Sequence, residues 1–358
     1  MRKSLARSFF CAFLFKTEEF WYKIFFRQMN FRHTRFTAKF FIFLAVLFFL
    51  TGTFFAIKKW NVKKLNESDS IFSEKISALA EEKKLPDEPV QLEIFRKSYP
   101  DVFFESFYDD EKNDWLVKIS APIFPGKEEK KQTELWWAEG RLLPEDELEN
   151  KNEYWKLIYQ YSKLKDPKEM NAEEIEEVRN FSSSKNRQTS QGTPMFFFDF
   201  LYAAKSKVII EDHIAYSTFL GKPTKIHERI KTPLLNVEKR ILKLADDDPE
   251  INGFVKNLKS ADAYNWRVIE GTGGRKSFHS YGIAVDLIPK RLYGKAIFWS
   301  WTRDKDPKNW MLTPLEKRWM PPQKVIDIFE DEGFIWGGNW IIFDNMHFEY
   351  HPEILTGM

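Results

Sequence analysis

Cysteine is almost absent from this chain: of 358 residues, only Cys11 carries a thiol. No internal disulfide can form, and no thiol can ligate a metal in the body of the protein. Glycine-rich phosphate-cradling loops are also missing, as is the regular βαβ alternation of a nucleotide-binding fold. There are no internal repeats. Excess charge of one sign is nearly missing, with a formal balance of +2. The basic surplus sits at the amino end, where residues 1–59 hold 11 Lys/Arg against 2 Asp/Glu. The remainder carries 44 basic and 51 acidic side chains, a balance of −7. An acidic body argues against nucleic acid as the main partner.

Apolar and aromatic residues are plentiful. Hydrophobic residues make up 43%, with 35 Phe and 13 Trp, enough for a sizeable core. The run "FFIFLAVLFFLTGTFFAI", Phe40 to Ile57, has 18 residues and no charge. As a helix it would rise about 27 Å, close to the thickness of a hydrocarbon core. Arg27, Arg32, Arg35 and Lys39 precede it, which leaves the amino end in the cytoplasm. A cleaved signal peptide is the alternative, but no A-x-A site follows Phe55 and "AIKKWNVKK" is a poor cleavage context. The expected organisation is a cytoplasmic basic tail at 1–39 and a transmembrane anchor at 40–57. A stalk and an unassigned extracytoplasmic region follow at 58–190, and the main folded domain at 191–358.

The periodicity along the body is mixed. Residues 60–90 read as a charged helical stalk. "DWLVKIS" alternates as a strand, and "TELWWAEGRLLP" reads as its partner. "NEYWKLIYQY" has helical spacing, with Trp155, Ile158 and Tyr159 on one face. Asn171 is placed to cap "AEEIEEVR". "NFSSSKNRQTSQGTP", Asn180 to Pro194, reads as a polar linker. "MFFFDFLYAA" is expected as a buried helix, and "HIAYSTFLGKPTKIHERI" as a hairpin turning at Gly221–Lys222. Leu234, Val237, Ile241 and Leu244 have helical spacing. "YNWRVIEGT" reads as a strand, and "PPQKVIDIFEDEGF" as a helix stopped by Gly333. "IWGGNWIIFD" and "MHFEY" are expected to close the sheet. The order is α+β: a small antiparallel sheet with flanking helices, behind a smaller α/β-mixed region.

Two stretches carry the chemistry. In "SFHSYGIAVDLIP", His279 and Asp286 are seven steps apart, about 23 Å in an extended strand. They can share a site only if the chain folds back at Ser280–Gly282. In the following strand Ala284, Asp286 and Ile288 share one face. A carboxylate in so apolar a strand must be solvated, paired or metal-bound, and Ala284 leaves room beside it. In "WGGNWIIFDNMHFEYHPE", Asp344 and His347 straddle a tight turn. The two stretches supply two imidazoles and two carboxylates. A catalytic zinc takes three protein ligands and keeps one position open, which frees a fourth group to act as base. His351 lies about 13 Å from His347 along a strand, too far to share one ion. Glu349, about 7 Å along the same face, suits support of a ligand from behind. His213 and His227 are read as structural, and His33 as a residue near the membrane.

"SFHSYGIAVD" resembles the S-x-H-x-x-G-x-A-x-D motif of the VanY-like D-alanyl-D-alanine carboxypeptidases. These group with the VanX dipeptidases, phage L-alanyl-D-glutamate endolysins and the hedgehog-like zinc fold. "DNMHFE" is similar to the family's second motif, an acid three residues before the last zinc histidine. The similarity spans about Phe196 to Glu353. It implies His279, Asp286 and His347 as Zn²⁺ ligands and Asp344 as general base. It also implies Ser277 as a hydrogen-bonding support and an upstream arginine that holds substrate, Arg267, with Arg275 as runner-up. Few residues separate Arg267 from the histidine motif, where many relatives insert a helix.

The resemblance implies a zinc peptidase of peptidoglycan stem peptides, with D-alanyl-D-alanine carboxypeptidase as the leading activity. An L,D- or D,D-endopeptidase of the same fold is the first rival. A non-catalytic, membrane-tethered peptidoglycan-binding protein is another, and an extracytoplasmic metal-binding protein a third. The expected location is the bacterial cytoplasmic membrane, single-pass, with the catalytic domain periplasmic. The Trp-rich insert Phe298 to Trp310 either walls the cleft or packs on itself.

Overall fold

The protein's structure, a computed structural model, describes residues 85–163 and 165–357. The apolar run Phe40–Ile57, and the stalk expected ahead of residue 85, lie outside the described residues. Among the described residues no helix is long and apolar enough to cross a membrane.

Helix α1, Val90–Ser98, places Leu92, Phe95 and Ser98 on its buried face. It leads into an antiparallel meander of β1 (Phe103–Asp109), β2 (Asp114–Pro122) and β3 (Lys130–Trp136). The first hairpin closes where Asp109 Oδ1 accepts the N–H groups of Glu111 and Lys112, both at 2.9 Å. In β2 the alternate residues Val117, Ile119 and Ala121 face the core. Period-two patterning therefore reads correctly here.

The stretch 152–161 departs from its helical spacing. Only a short 3₁₀ turn, Lys151–Glu153, forms, and the following residues run without helix. Nor is the expected face the buried one: Trp155 and Tyr159 are 40% and 45% exposed, and Leu157 and Tyr161 point inward instead. The backbone finds distant partners instead: Trp155 N–H donates to Gly192 O and Leu157 N–H to Gly140 O, each at 2.9 Å.

Helix α2, Ala172–Phe181, begins with the expected Asn171, whose side chain and that of Glu174 form a reciprocal capping box. The segment expected as a linker is not a free tether. It contains helix α3, Ser184–Thr189, and Gly192 bridges to Tyr154. Helix α4, Phe196–Leu201, buries Phe197, Phe198 and Leu201. The Phe95 and Phe197 rings meet edge-on at 5.4 Å. Phe95, Val117 and Ile119 thus share one apolar cluster with Phe197, Ile226 and Val285. This cluster draws on residues from both sides of the division expected near residue 190.

After the short helix α5, Lys207–Glu211, the expected hairpin is β4 (Ile214–Phe219) with β5 (Lys222–His227). Helix α6, Lys231–Ala245, buries Leu234, Val237, Ile241 and Ala245. Leu244 lies 37% exposed, so Ala245 and not Leu244 completes the inner stripe. Helix α7, Pro249–Asn257, follows.

The last sheet has strand order β6-β7-β9-β8, with each pair antiparallel. Its strands are β6 (Leu258–Asp262), β7 (Ala284–Pro289), β8 (Phe334–Trp336) and β9 (His347–Tyr350). The strand expected at "YNWRVIEGT" is displaced. β6 lies just upstream, and Asn265 N–H turns to His279 O at 3.0 Å. "IWGGNWIIFD" is not one strand either. β8 ends at Trp336, a 3₁₀ turn follows at Gly337–Asn339, and Asp344 N–H donates back to Gly337 O at 3.0 Å. Helix α8, Trp299–Lys305, belongs to the Trp-rich insert. Helix α9, Gln323–Asp331, buries Val325, Ile326, Ile328 and Phe329, and α10, Pro352–Thr356, ends the fold. The architecture is α+β with small antiparallel sheets and flanking helices.

Candidate metal centre

The two central strands of the last sheet each have a core face and a site face. Val285, Leu287 and Phe348 are fully buried, and Phe348 stacks on Phe329 at 3.9 Å. The opposite face carries Ala284, Asp286, His347 and Glu349. In the register Asp286 faces His347, and Ala284 faces Glu349. The small Ala284 side chain leaves space for the carboxylate across from it.

His279 arrives from a separate element, the 3₁₀ turn Phe278–Tyr281. Ser277 caps this turn, its Oγ accepting His279 N–H at 3.3 Å. Ser280 Oγ donates to Arg267 O at 2.6 Å and accepts Arg267 N–H at 2.8 Å, locking the turn to the preceding chain. Lys276 pairs with Asp199 of α4, which also accepts Tyr281 O–H at 2.6 Å. The chain then reverses at Gly282, with φ of 65°. A Cβ there would stand 2.7 Å from Ile214 Cδ1 and 2.8 Å from His227 N. Both the left-handed backbone and the close approach require glycine.

The reversal brings the three groups together. One ligand atom from each of His279, Asp286 and His347 lies within 4.8 Å of the others. His279 Nε2 is 3.2 Å from His347 Nδ1 and 3.2 Å from Asp286 Oδ2. His347 Nδ1 is 2.8 Å from Asp286 Oδ1. A tetrahedral zinc with bonds of about 2.0–2.1 Å separates its ligand atoms by about 3.3 Å. The donor set, two imidazole nitrogens and a carboxylate, suits a metal ion, and the two 3.2 Å spacings match that value, while His347 and Asp286 stand at hydrogen-bond distance, 2.8 Å.

Each histidine is oriented from behind. His279 Nδ1 lies 2.6 Å from Ala263 O, which can only accept, so Nδ1 carries the proton and Nε2 presents its lone pair to the cluster. His347 Nε2 lies 2.8 Å from Glu349 Oε1. These are the two kinds of partner that fix the tautomers of metal-binding imidazoles.

Electrostatics follow from this packing. Burial pulls His347 down, but Glu349 and Asp286 overcome that pull and hold it well above the ordinary imidazole value. Burial raises Asp286, yet its close contacts with His279 and His347 win and keep its carboxyl well below the carboxylate range. Glu349, also raised by burial, is drawn down to about 2 chiefly by His347.

Asp344 lies outside this three-residue group. Its Oδ1 is sealed from solvent and has no hydrogen-bond partner. Burial pushes its carboxyl up to about 7, against the charge of His347 and with that of Asp286. The Trp-rich insert holds its backbone: Phe298 bridges to Asp344, and Trp299 N–H donates to Phe343 O at 3.0 Å. Trp299, Trp310, Met311 and Phe343 form a small buried cluster with Val178 of α2. The insert is thus packed on its own aromatics and braces Asp344 at the same time. Trp340 adds a ring 5.4 Å from that of His347.

The two arginines are placed differently. Arg267 is exposed, and its charge acts on Asp344. Arg275 bonds to the Ser190 carbonyl and packs over Gly192. His351 is outside the three-residue group and pairs with Glu349 and Glu353. His213 and His227 stack at 5.6 Å, and His227 bonds to Tyr202 O and Arg229 N–H, both structural contacts.

Comparison with known proteins bears on this region. Residues 270–350 match a family model described as D-alanyl-D-alanine carboxypeptidase. The matched span contains His279, Asp286, Asp344 and His347. It supports the VanY-like peptidase family at a coarse level, and with it a hydrolase of the peptidase class. Residues 91–159 match a domain family of unknown function. No solved structure matches the chain.

Proposed function

We propose that this protein is a zinc-dependent peptidase of peptidoglycan stem peptides, with D-alanyl-D-alanine carboxypeptidase as the leading activity. The observation that carries the proposal is the convergence of His279 Nε2, Asp286 and His347 Nδ1 within 4.8 Å, inside the span that matches the peptidase family. These three residues would hold the ion. When bound, zinc polarises a scissile carbonyl and makes water acidic enough to attack near neutral pH. Asp344 accepts the proton of the attacking water and delivers it to the leaving amine. Its sealed, unpartnered Oδ1 and its raised pKa, about 7, both suit a group that gains and loses a proton at neutral pH. Arg267, the arginine left free, holds the substrate carboxylate or carbonyl. Ser277 and Glu349 keep His279 and His347 in place. The basic flank ahead of Phe40–Ile57 supports a tether to the cytoplasmic membrane with the peptidase outside it.

The test is digestion of purified muropeptides with and without chelator, with products identified by mass spectrometry. Chelator-sensitive release of D-alanine is expected, together with loss of bound zinc in His347→Ala. Cleavage at an internal L,D or D,D link would reassign the enzyme as an endopeptidase. A zinc-loaded protein that cleaves no stem peptide would make it a binding module.

A further inference from the structure

The polar line behind His347 does not stop at Glu349. Glu349 Oε2 lies 3.4 Å from His351 Nε2, and His351 Nδ1 lies 2.8 Å from Glu353 Oε1. Glu353 Oε2 then accepts the hydroxyl of Tyr99 at 2.6 Å. Every member is buried, and Glu353 has no exposed surface at all. Phe198 and Phe278 wall off the His351 ring, with centroids at 5.3 and 4.5 Å. The line joins a candidate metal ligand to Tyr99, the C-cap of helix α1, 254 residues away from Glu353 in sequence.

Each carboxylate in the line uses both oxygens. Glu349 stands between His347 and His351, and Glu353 between His351 and Tyr99. No polar atom of these side chains is left without a partner. Burying such a row is costly, and an apolar core of the same volume would stabilise the fold at least as well. Stability alone therefore gives no reason for it. Its inner end does: a carboxylate behind a metal-binding imidazole sets the ring's orientation and basicity, and it must itself be held.

We propose that Tyr99, Glu353 and His351 are positioning residues of the metal centre. They fix the Glu349 carboxylate that orients His347, which makes the upstream segment a working part of the site. The inference rests on the zinc reading above.

The experiment compares zinc affinity, by competition with a chromophoric chelator, across full-length variants. Cobalt-substituted absorption spectra on the same variants report the ligand geometry. Tyr99→Phe keeps the ring and removes only the hydroxyl, and Glu353→Gln keeps the shape and removes the charge. Both are expected to weaken zinc about 10-fold or more and to shift the cobalt bands, within the range typical of outer-shell substitutions. Phe104→Leu loosens the same apolar core without touching the line; it should lower thermal stability and leave affinity unchanged. Wild-type affinity and spectrum in both Tyr99→Phe and Glu353→Gln would overturn the proposal, as would equal weakening in Phe104→Leu. If wild type itself binds no zinc, the metal reading fails, and that result is distinct from either.

Discussion

Asp286 and His347 face each other across β7 and β9, with Oδ1 and Nδ1 2.8 Å apart. Two residues 61 apart in sequence thereby become one half-built site. Their strands fix the pair, and the turn carrying His279 completes it. Strands hold such a constellation more rigidly than loops do, so each group around it has a definable task.

Asp344→Asn separates base from ligand. The amide keeps the shape but cannot take the proton of water. Zinc content should stay near the wild-type level, while peptide hydrolysis falls about 10²–10⁴-fold. Loss of zinc in this variant would make Asp344 a ligand, and full activity would remove it from the mechanism.

Gly282→Ala should destabilise the fold. The new Cβ meets Ile214 and the His227 backbone at 2.7 and 2.8 Å, and the φ of 65° strains any residue with a side chain. The expected loss is about 1–3 kcal/mol from the backbone alone, read as a lower denaturation midpoint. An unchanged midpoint would mean that the turn relaxes freely.

Arg267 and Arg275 should part in their effects. Arg267→Ala is expected to lower kcat/KM about 10-fold or more, the worth of one charge-assisted hydrogen bond, with thermal stability unchanged. Arg275→Ala should lower stability through its lost contact with Ser190 and leave turnover intact. The reverse pattern, in steady-state kinetics and melting, would exchange the two roles.

Stability should depend on pH through His351. Burial alone would lower its pKa, but Glu353 and Glu349 raise it to about 9, above the ordinary 6.5. A raised pKa contributes stability that is complete below the unfolded value and lost as pH rises through the folded one. Metal-free protein should therefore weaken between about pH 6.5 and 9. His351→Gln should flatten that limb in denaturant titrations at successive pH values. An unchanged slope would show that His351 is neutral in the fold.

Local signals were legible wherever a backbone period met a special residue. The alternation of 283–288, the reversal at Gly282, the cap at Asn171 and the support of His347 by Glu349 all follow from short-range geometry. Such features depend on φ, ψ and spacing, which the chain carries within a few residues. The second motif was less open. Asp344 is braced by the insert at Phe298 and Trp299, some 45 residues upstream, and no local pattern marks that pairing.

The residues 152–161 show the limit most plainly. Their apolar residues recur at helical spacing, but helix formation needs the backbone N–H groups, and those of Trp155 and Leu157 go to Gly192 and Gly140, so a different pair, Leu157 and Tyr161, turns inward. Sequence by itself determined the α+β class, the chemical groups available for a metal and the turn that could gather them. Only the tertiary structure decided that Asp286 opposes His347, that Arg275 is spent on Ser190, and that Tyr99 reaches Glu353. Those contacts join residues that are distant along the chain, and their free energy comes from packing that exists only once the whole unit has closed.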